Sequence, residues 1–119
     1  MNSRPPFPQV HIRINLGADF AFGPGKAELL EKIAGTGSIS AAAREMRMSY
    51  KRAWQLVDAM NRSFSHPVIN AAPGGARGGG AGLTDCGKRV VKTYRSLQKK
   101  VQLSTTRELA ALARCAARI

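Results

Sequence analysis

The chain has 119 residues, the size of one domain, with 19 lysines and arginines against seven aspartates and glutamates and a formal net charge of +12. Such a cationic excess favours a polyanionic partner, because each phosphate neutralised by lysine or arginine releases condensed counterions. No apolar run approaches the ~20 residues needed to cross a bilayer. The start Met1-Asn2-Ser3-Arg4-Pro5-Pro6 leads to no signal-peptide core, so no membrane partner is expected and the expected location is the cytoplasm.

Residues 1–9 form a Pro-rich, loose lead. Val10, Ile12, Ile14 and Leu16 then alternate with His11, Arg13 and Asn15, as a half-buried strand does. Gly17-Ala18-Asp19 predicts a turn, and Phe20 and Phe22 return on one face to complete a short hairpin before Pro24 and Gly25 break the chain. Leu29, Leu30, Ile33 and Ala34 mark a first helix that Gly35 and Gly37 terminate.

The run from Gly37 to Val57 predicts two short helices joined by a tight turn, a helix-turn-helix. Ile39, Ala42, Ala43 and Met46 share one face of the first. Ala53, Trp54, Val57 and Met60 share one face of the second, with Trp54 expected to be buried and structural. Small side chains at Ala42 and Ala43 let the helices cross closely. Only Arg47, Met48 and Ser49 lie between them. Ser49 caps the second helix, which leaves Tyr50, Lys51, Arg52 and Gln55 on its exposed first turns, where a recognition helix presents side chains to base edges.

Pro67-Val68-Ile69-Asn70 reads as a strand, followed by a glycine-crowded stretch to Leu83. That stretch lacks the Gly-Lys-Ser/Thr ending of a nucleotide-binding loop. Its composition also suits a flexible linker. Its place between two strand-like pieces behind a helix-turn-helix favours a β-hairpin wing, with Arg77 as its charged tip meeting phosphate or entering a minor groove. Thr84 then caps a helix whose Val90, Tyr94, Leu97 and Val101 form a seam, with Lys88, Arg89, Lys92, Arg95, Lys99 and Lys100 on the other faces. A break is expected near Ser104. Thr105-Thr106-Arg107-Glu108 has the form of a capping box opening a last piece, with Leu109, Leu112, Ala116 and Ile119 on one face. The seam residues Val90, Tyr94, Leu97, Val101, Leu109 and Leu112 are the expected dimer interface.

Cys86 and Cys115 are far apart, His11 and His66 are isolated, and no pair has the ligand spacing of a zinc site, so no metal and no cofactor are expected. The seven acidic residues are scattered and the serines lie in cap or turn contexts, so the chain reads as no enzyme. A non-specific nucleoid-architectural or RNA-binding protein would use the same charge without reading sequence, and a protein-interaction module would turn its basic face to an acidic partner.

Gly37-Ser38-Ile39-Ser40, Ser49-Tyr50-Lys51 with Ala53-Trp54, Met60-Asn61, Gly74-Gly75 with Gly78-Gly79-Gly80-Ala81, and Leu83-Thr84 with Gly87 and Arg89 resemble the N-terminal DNA-binding domain of ModE-type molybdate-responsive regulators, itself akin to the LysR-type winged helix. The resemblance as a whole covers about residues 10 to 103. The resemblance implies a dimer that holds two recognition helices for a two-fold operator, joined by the long C-terminal helix. The family often has glycine where this chain has Arg47; a left-handed backbone there would cost arginine roughly 1–2 kcal/mol. Family members that sense molybdate carry further oxyanion-binding domains, whereas this sequence stops at Ile119, so no tight molybdate site is expected in it.

The expected fold is mainly α with small β hairpins, a winged helix-turn-helix with a C-terminal dimerisation helix. Residues 1–9 are the lead, 10–83 the DNA-binding domain and 84–119 the dimerisation segment. The expected function is sequence-specific regulation of molybdenum-related genes through double-stranded DNA, with Ser49, Tyr50, Lys51, Arg52, Gln55 and Arg77 on the DNA.

Overall fold

The structure, a computed structural model, describes residues 8–72 and 80–116. The elements run β1 (Ile14–Gly17), β2 (Phe20–Phe22), α1 (Pro24–Thr36), α2 (Ile39–Glu45), α3 (Tyr50–Ser63), β3 (Ile69–Ala72), β4 (Gly80–Leu83), α4 (Asp85–Ser104) and α5 (Thr106–Cys115). Helices with two small antiparallel hairpins make this a winged helix-turn-helix, as the pattern of periodicities predicts.

The first hairpin is shorter than the alternation of Val10 to Leu16 suggests. Ile14 pairs with Phe22, Asn15 with Ala21 and, past a bulge, Gly17 with Phe20; before Ile14 the ladder stops because Pro24, which has no N–H, already occupies the first turn of α1. Val10 and Ile12 therefore face no partner strand. Their segment is held by α4 instead: the Val10 N–H donates to Gln102 Oε1 at 2.9 Å, and Gln102 Nε2 donates to the Pro8 carbonyl at 3.1 Å. Pro24 and Gly25 likewise open a helix rather than interrupt the chain, since the fixed φ of proline suits the first helical position. Phe20 and Phe22 both meet Phe64 edge to face, with centroids 5.3 and 5.9 Å away, which fastens this hairpin to the end of α3.

α1 is the centre of the core, with Leu29, Leu30 and Ile33 fully buried against Ala42 and Ala43 of α2 and Ala53, Val57 and Met60 of α3. Gly35 does not end it. The helix continues to Thr36 and is closed by Gly37, whose φ of 72° is a left-handed C-cap and whose carbonyl accepts from the Ala81 N–H of β4 at 2.9 Å. One residue thus ends the helix and docks the second hairpin.

That hairpin pairs Ile69 with Leu83 through to Ala72 with Gly80, which is the base of a wing. Pro67 and Val68 lie outside its ladder. The Val68 N–H donates instead to Asn61 Oδ1 at 2.8 Å, the Ile69 N–H to the same oxygen at 3.1 Å, and Asn61 Nδ2 returns a bond to the Ile69 carbonyl at 3.2 Å. Thr84 closes the other side: its hydroxyl donates to the Pro67 carbonyl at 2.6 Å and accepts the Gly87 N–H at 3.0 Å as the cap of α4. Gly87 is obligatory on steric grounds, because a Cβ there would lie 2.1 Å from the Val68 carbonyl oxygen.

α4 then crosses α1, where Arg95 makes a two-pronged bond to Glu31 at 2.9 and 2.7 Å. Tyr94 does not face outward on the seam. It is 3% exposed, meets Phe22 edge to face at 5.2 Å and donates its hydroxyl to the Ile12 carbonyl at 2.6 Å. Burial pushes the phenol above its ordinary pKa. The helix breaks at Thr105 as expected, yet no capping box forms there: the Thr105 hydroxyl donates back to the Val101 carbonyl at 2.6 Å. α5 buries no residue of its own, and Leu112 is 67% exposed.

Candidate nucleic-acid interface

Two serine caps start the two helices of the motif. Ser38 Oγ accepts the Ala41 N–H and Ser49 Oγ accepts the Arg52 N–H, each at 3.0 Å, so the first free donor groups of α2 and α3 are satisfied locally. The turn between them is a Schellman closure: the Arg47 N–H reaches the Arg44 carbonyl at 3.1 Å and the Met48 N–H reaches the Ala43 carbonyl at 3.0 Å. This requires a left-handed residue, and Arg47 supplies it with φ of 56°. The glycine-to-arginine departure noted from the family resemblance therefore falls on the strained position.

With Ala53, Val57 and Met60 inward, the 100° step of the helix sets the rest of α3. Lys51, Gln55, Asp58 and Arg62 form the outward line. Tyr50, 54% exposed, stands on one flank with its ring edge to face on Trp54 at 6.2 Å. Trp54 is half-buried at the margin of the core, not enclosed by it, because it shares that flank with Tyr50. Arg52 lies on the opposite flank with Leu56. There it borders a cleft of about 340 Å³ shared with Arg13, Lys26, Met46 and Met48. Asp58 is the one carboxylate on the outward line, and Arg62 neutralises it at 3.0 Å, a pairing its four-residue spacing already signals.

The helix-turn-helix, its hairpin and the start of α4 coincide with residues 25–88, which match the family model for bacterial regulatory helix-turn-helix proteins of the lysR family. The chain belongs to that family. Its relatives include the molybdenum-pterin-binding protein MopB of Rhodobacter capsulatus, 49% identical over 79 residues (66% of this chain, 29% of that one). The molybdenum transport protein ModE of Azotobacter vinelandii is 39% identical over 97 residues, covering 80% of this chain and 36% of its own length. The DNA-binding transcriptional dual regulator ModE of Escherichia coli K12 is 42% identical over 86 residues, 72% of this chain and 33% of its own. The chain thus spans about a third of the length of these curated relatives.

Ser49, Tyr50, Lys51, Arg52 and Gln55 come together on the first two turns of α3, as the local pattern predicts, with Ser49 acting through its cap. Arg77 lies outside the described residues. Of the predicted interface residues, Val90 packs against the core and Tyr94 is spent within it, whereas Leu97 is 36% exposed, Val101 is half-buried and Leu109 and Leu112 lie on α5. Among the described residues no three His, Cys, Asp or Glu side chains are grouped to hold a metal ion, and no helix is long and apolar enough to cross a membrane. Asn61, Arg13 and Lys26 escaped the sequence reading. Asn61 follows Met60 in a run the resemblance picks out, but its bonds reach eight residues ahead, and nothing local connects Arg13, Lys26 and Arg52.

Proposed function

We propose that this chain binds duplex DNA sequence-specifically as a two-fold dimer and regulates transcription. The observation that carries this reading is the exposed start of α3, where Lys51 and Gln55 line the outward face beside Tyr50 while the opposite face packs on α1 and α2. Such a helix fits the major groove of B-DNA, about 12 Å wide, and places a lysine and a glutamine where they match guanine and adenine edges. Arg77, which lies between β3 and β4 in the sequence, is assigned to the DNA backbone or the adjacent minor groove.

Dimerisation is assigned to the end of α4 and to α5, where Leu97 and Leu112 are exposed and Val101 and Leu109 half-buried. The regulated genes are molybdenum-related, by analogy with the printed names of MopB and ModE. No tight molybdate site is expected among the described residues: the cations around the α1 cleft include the exposed Arg13 and Arg52, not the closed set of fixed donors that selective oxyanion capture needs. Calorimetry with molybdate at physiological salt is expected to show no selective binding, and a selective micromolar site would overturn that statement.

Selection of bound sequences from a random duplex pool tests the main reading. A recurring two-fold motif, bound at least about a thousandfold tighter than random DNA, supports it. Recovery of the unenriched pool would instead indicate the non-specific architectural mode that the charge of +12 also permits.

A further inference from the structure

Arg13 precedes β1, Lys26 lies in the first turn of α1 and Arg52 in the first turn of α3, yet all three border one cleft of about 340 Å³. No carboxylate lines it, and the ion pairs among the described residues use Lys32, Arg62 and Arg95 instead. Lys26 is the fixed member, its ammonium donating to the Ala21 carbonyl and standing 5.0 Å from the Phe20 ring centroid. Burial lowers its pKa, and the charges of Arg13 and Arg52 lower it further. Like charges gathered without a counterion repel, and an anion in the cleft reverses that repulsion. The start of α1 adds to the attraction, since its first turn holds no acidic residue and Gly23 supplies no side-chain cap.

We propose that this cleft seats a phosphodiester of the DNA strand bordering the groove that α3 enters. This rests on the DNA-binding reading above. Arg52 lies about 100° around α3 from Lys51, on the flank that meets the groove wall when Lys51 and Gln55 face the bases. It therefore joins Arg13 and Lys26 in setting the register of the helix on the backbone, and base discrimination falls to Lys51, Gln55 and Tyr50.

The test uses the full chain, its Arg13→Gln and Lys26→Gln variants, a duplex selected by the wild type from a random pool, and a random duplex of equal length. Arg13 is exposed, so Arg13→Gln keeps the fold, and a melting curve checks Lys26→Gln. Each variant is expected to weaken both duplexes by the same factor and to reduce the slope of log K against log salt by about 0.9. A methylphosphonate at one backbone position should erase the difference between the wild type and Arg13→Gln. Variant slopes equal to a steep wild-type slope would overturn the cleft while leaving DNA binding intact. Wild-type protein with no salt-dependent DNA binding would overturn both readings. Saturable binding of inorganic phosphate to the DNA-free protein, abolished by Arg13→Gln with DNA affinity unchanged, would assign the cleft to a free oxyanion and overturn the backbone seat.

Discussion

At Arg47 the chain holds an L-residue in the left-handed region because the two hydrogen bonds of the Schellman turn leave no other path from α2 to α3. Arg47→Gly should relieve roughly 1–2 kcal/mol of backbone strain and lose about 0.5–1 kcal/mol to the greater freedom of the unfolded chain. The expected outcome is a gain of up to about 1.5 kcal/mol, read as a higher urea midpoint at unchanged slope. Gly87 shows the opposite limit. Gly87→Ala places a methyl 2.1 Å from the Val68 carbonyl oxygen and should destabilise by at least about 1–3 kcal/mol, with the wing hairpin losing amide protection first. Asn61→Ala strands two N–H groups and one carbonyl of the Val68-Ile69 segment and should cost about 1–3 kcal/mol by the same measurement. Trp54, half-buried under Tyr50, should cost less than the ~3–5 kcal/mol of a fully enclosed indole when truncated to alanine.

On the scale of elements, α3 separates two duties by face. Gln55→Ala should leave the melting temperature unchanged and cost roughly 1–3 kcal/mol of discrimination at particular base pairs, read by competition between duplexes that differ at one position. α4 carries two duties. Gly87, Tyr94, Arg95, Gln98 and Gln102 hold it to the protomer, while Leu97 is left exposed and Val101 half-buried, followed by Leu109 and Leu112 on α5. Leu97→Asp should therefore split the proposed dimer in sedimentation with the protomer still folded, because a charge in a dry interface lacks a partner. Tyr94→Phe should leave the dimer intact and cost about 1 kcal/mol, the worth of its bond to the Ile12 carbonyl.

Across the whole molecule, seven acidic residues face 19 basic ones, and three of the carboxylates are spent on joining or shielding helices. Glu31 joins α1 to α4 through Arg95, Glu45 joins α2 to α1 through Lys32, and Asp58 is neutralised by Arg62 along α3. Among the described residues Arg13, Lys26, Lys51 and Arg52 have no carboxylate partner, so binding to duplex DNA should weaken steeply with salt. Anisotropy titrations between 50 and 200 mM salt should give a slope of about −0.9 for each phosphate contact, and a flat line would contradict the electrostatic account.

The helix-turn-helix was legible in the residues alone because every signal in it is local. Alanines and Ile39 repeat at helical spacing, Ser49 caps a helix through the N–H three residues ahead, and the Thr84 cap and the break before α5 arise within one turn. The fates of Val10, Tyr94 and Trp54 were not legible, since alternation cannot supply a partner strand and a stripe cannot say whether its neighbour is the same chain or another. Only the packed structure turned Tyr94 inward onto Ile12, handed the Pro8–Val10 backbone to Gln98 and Gln102, and fixed the wing on Asn61. Those bonds join groups distant along the chain. For the same reason the cleft of Arg13, Lys26 and Arg52 has no trace in the sequence: charges separated along the chain become neighbours only when a shared core aligns the helices that carry them.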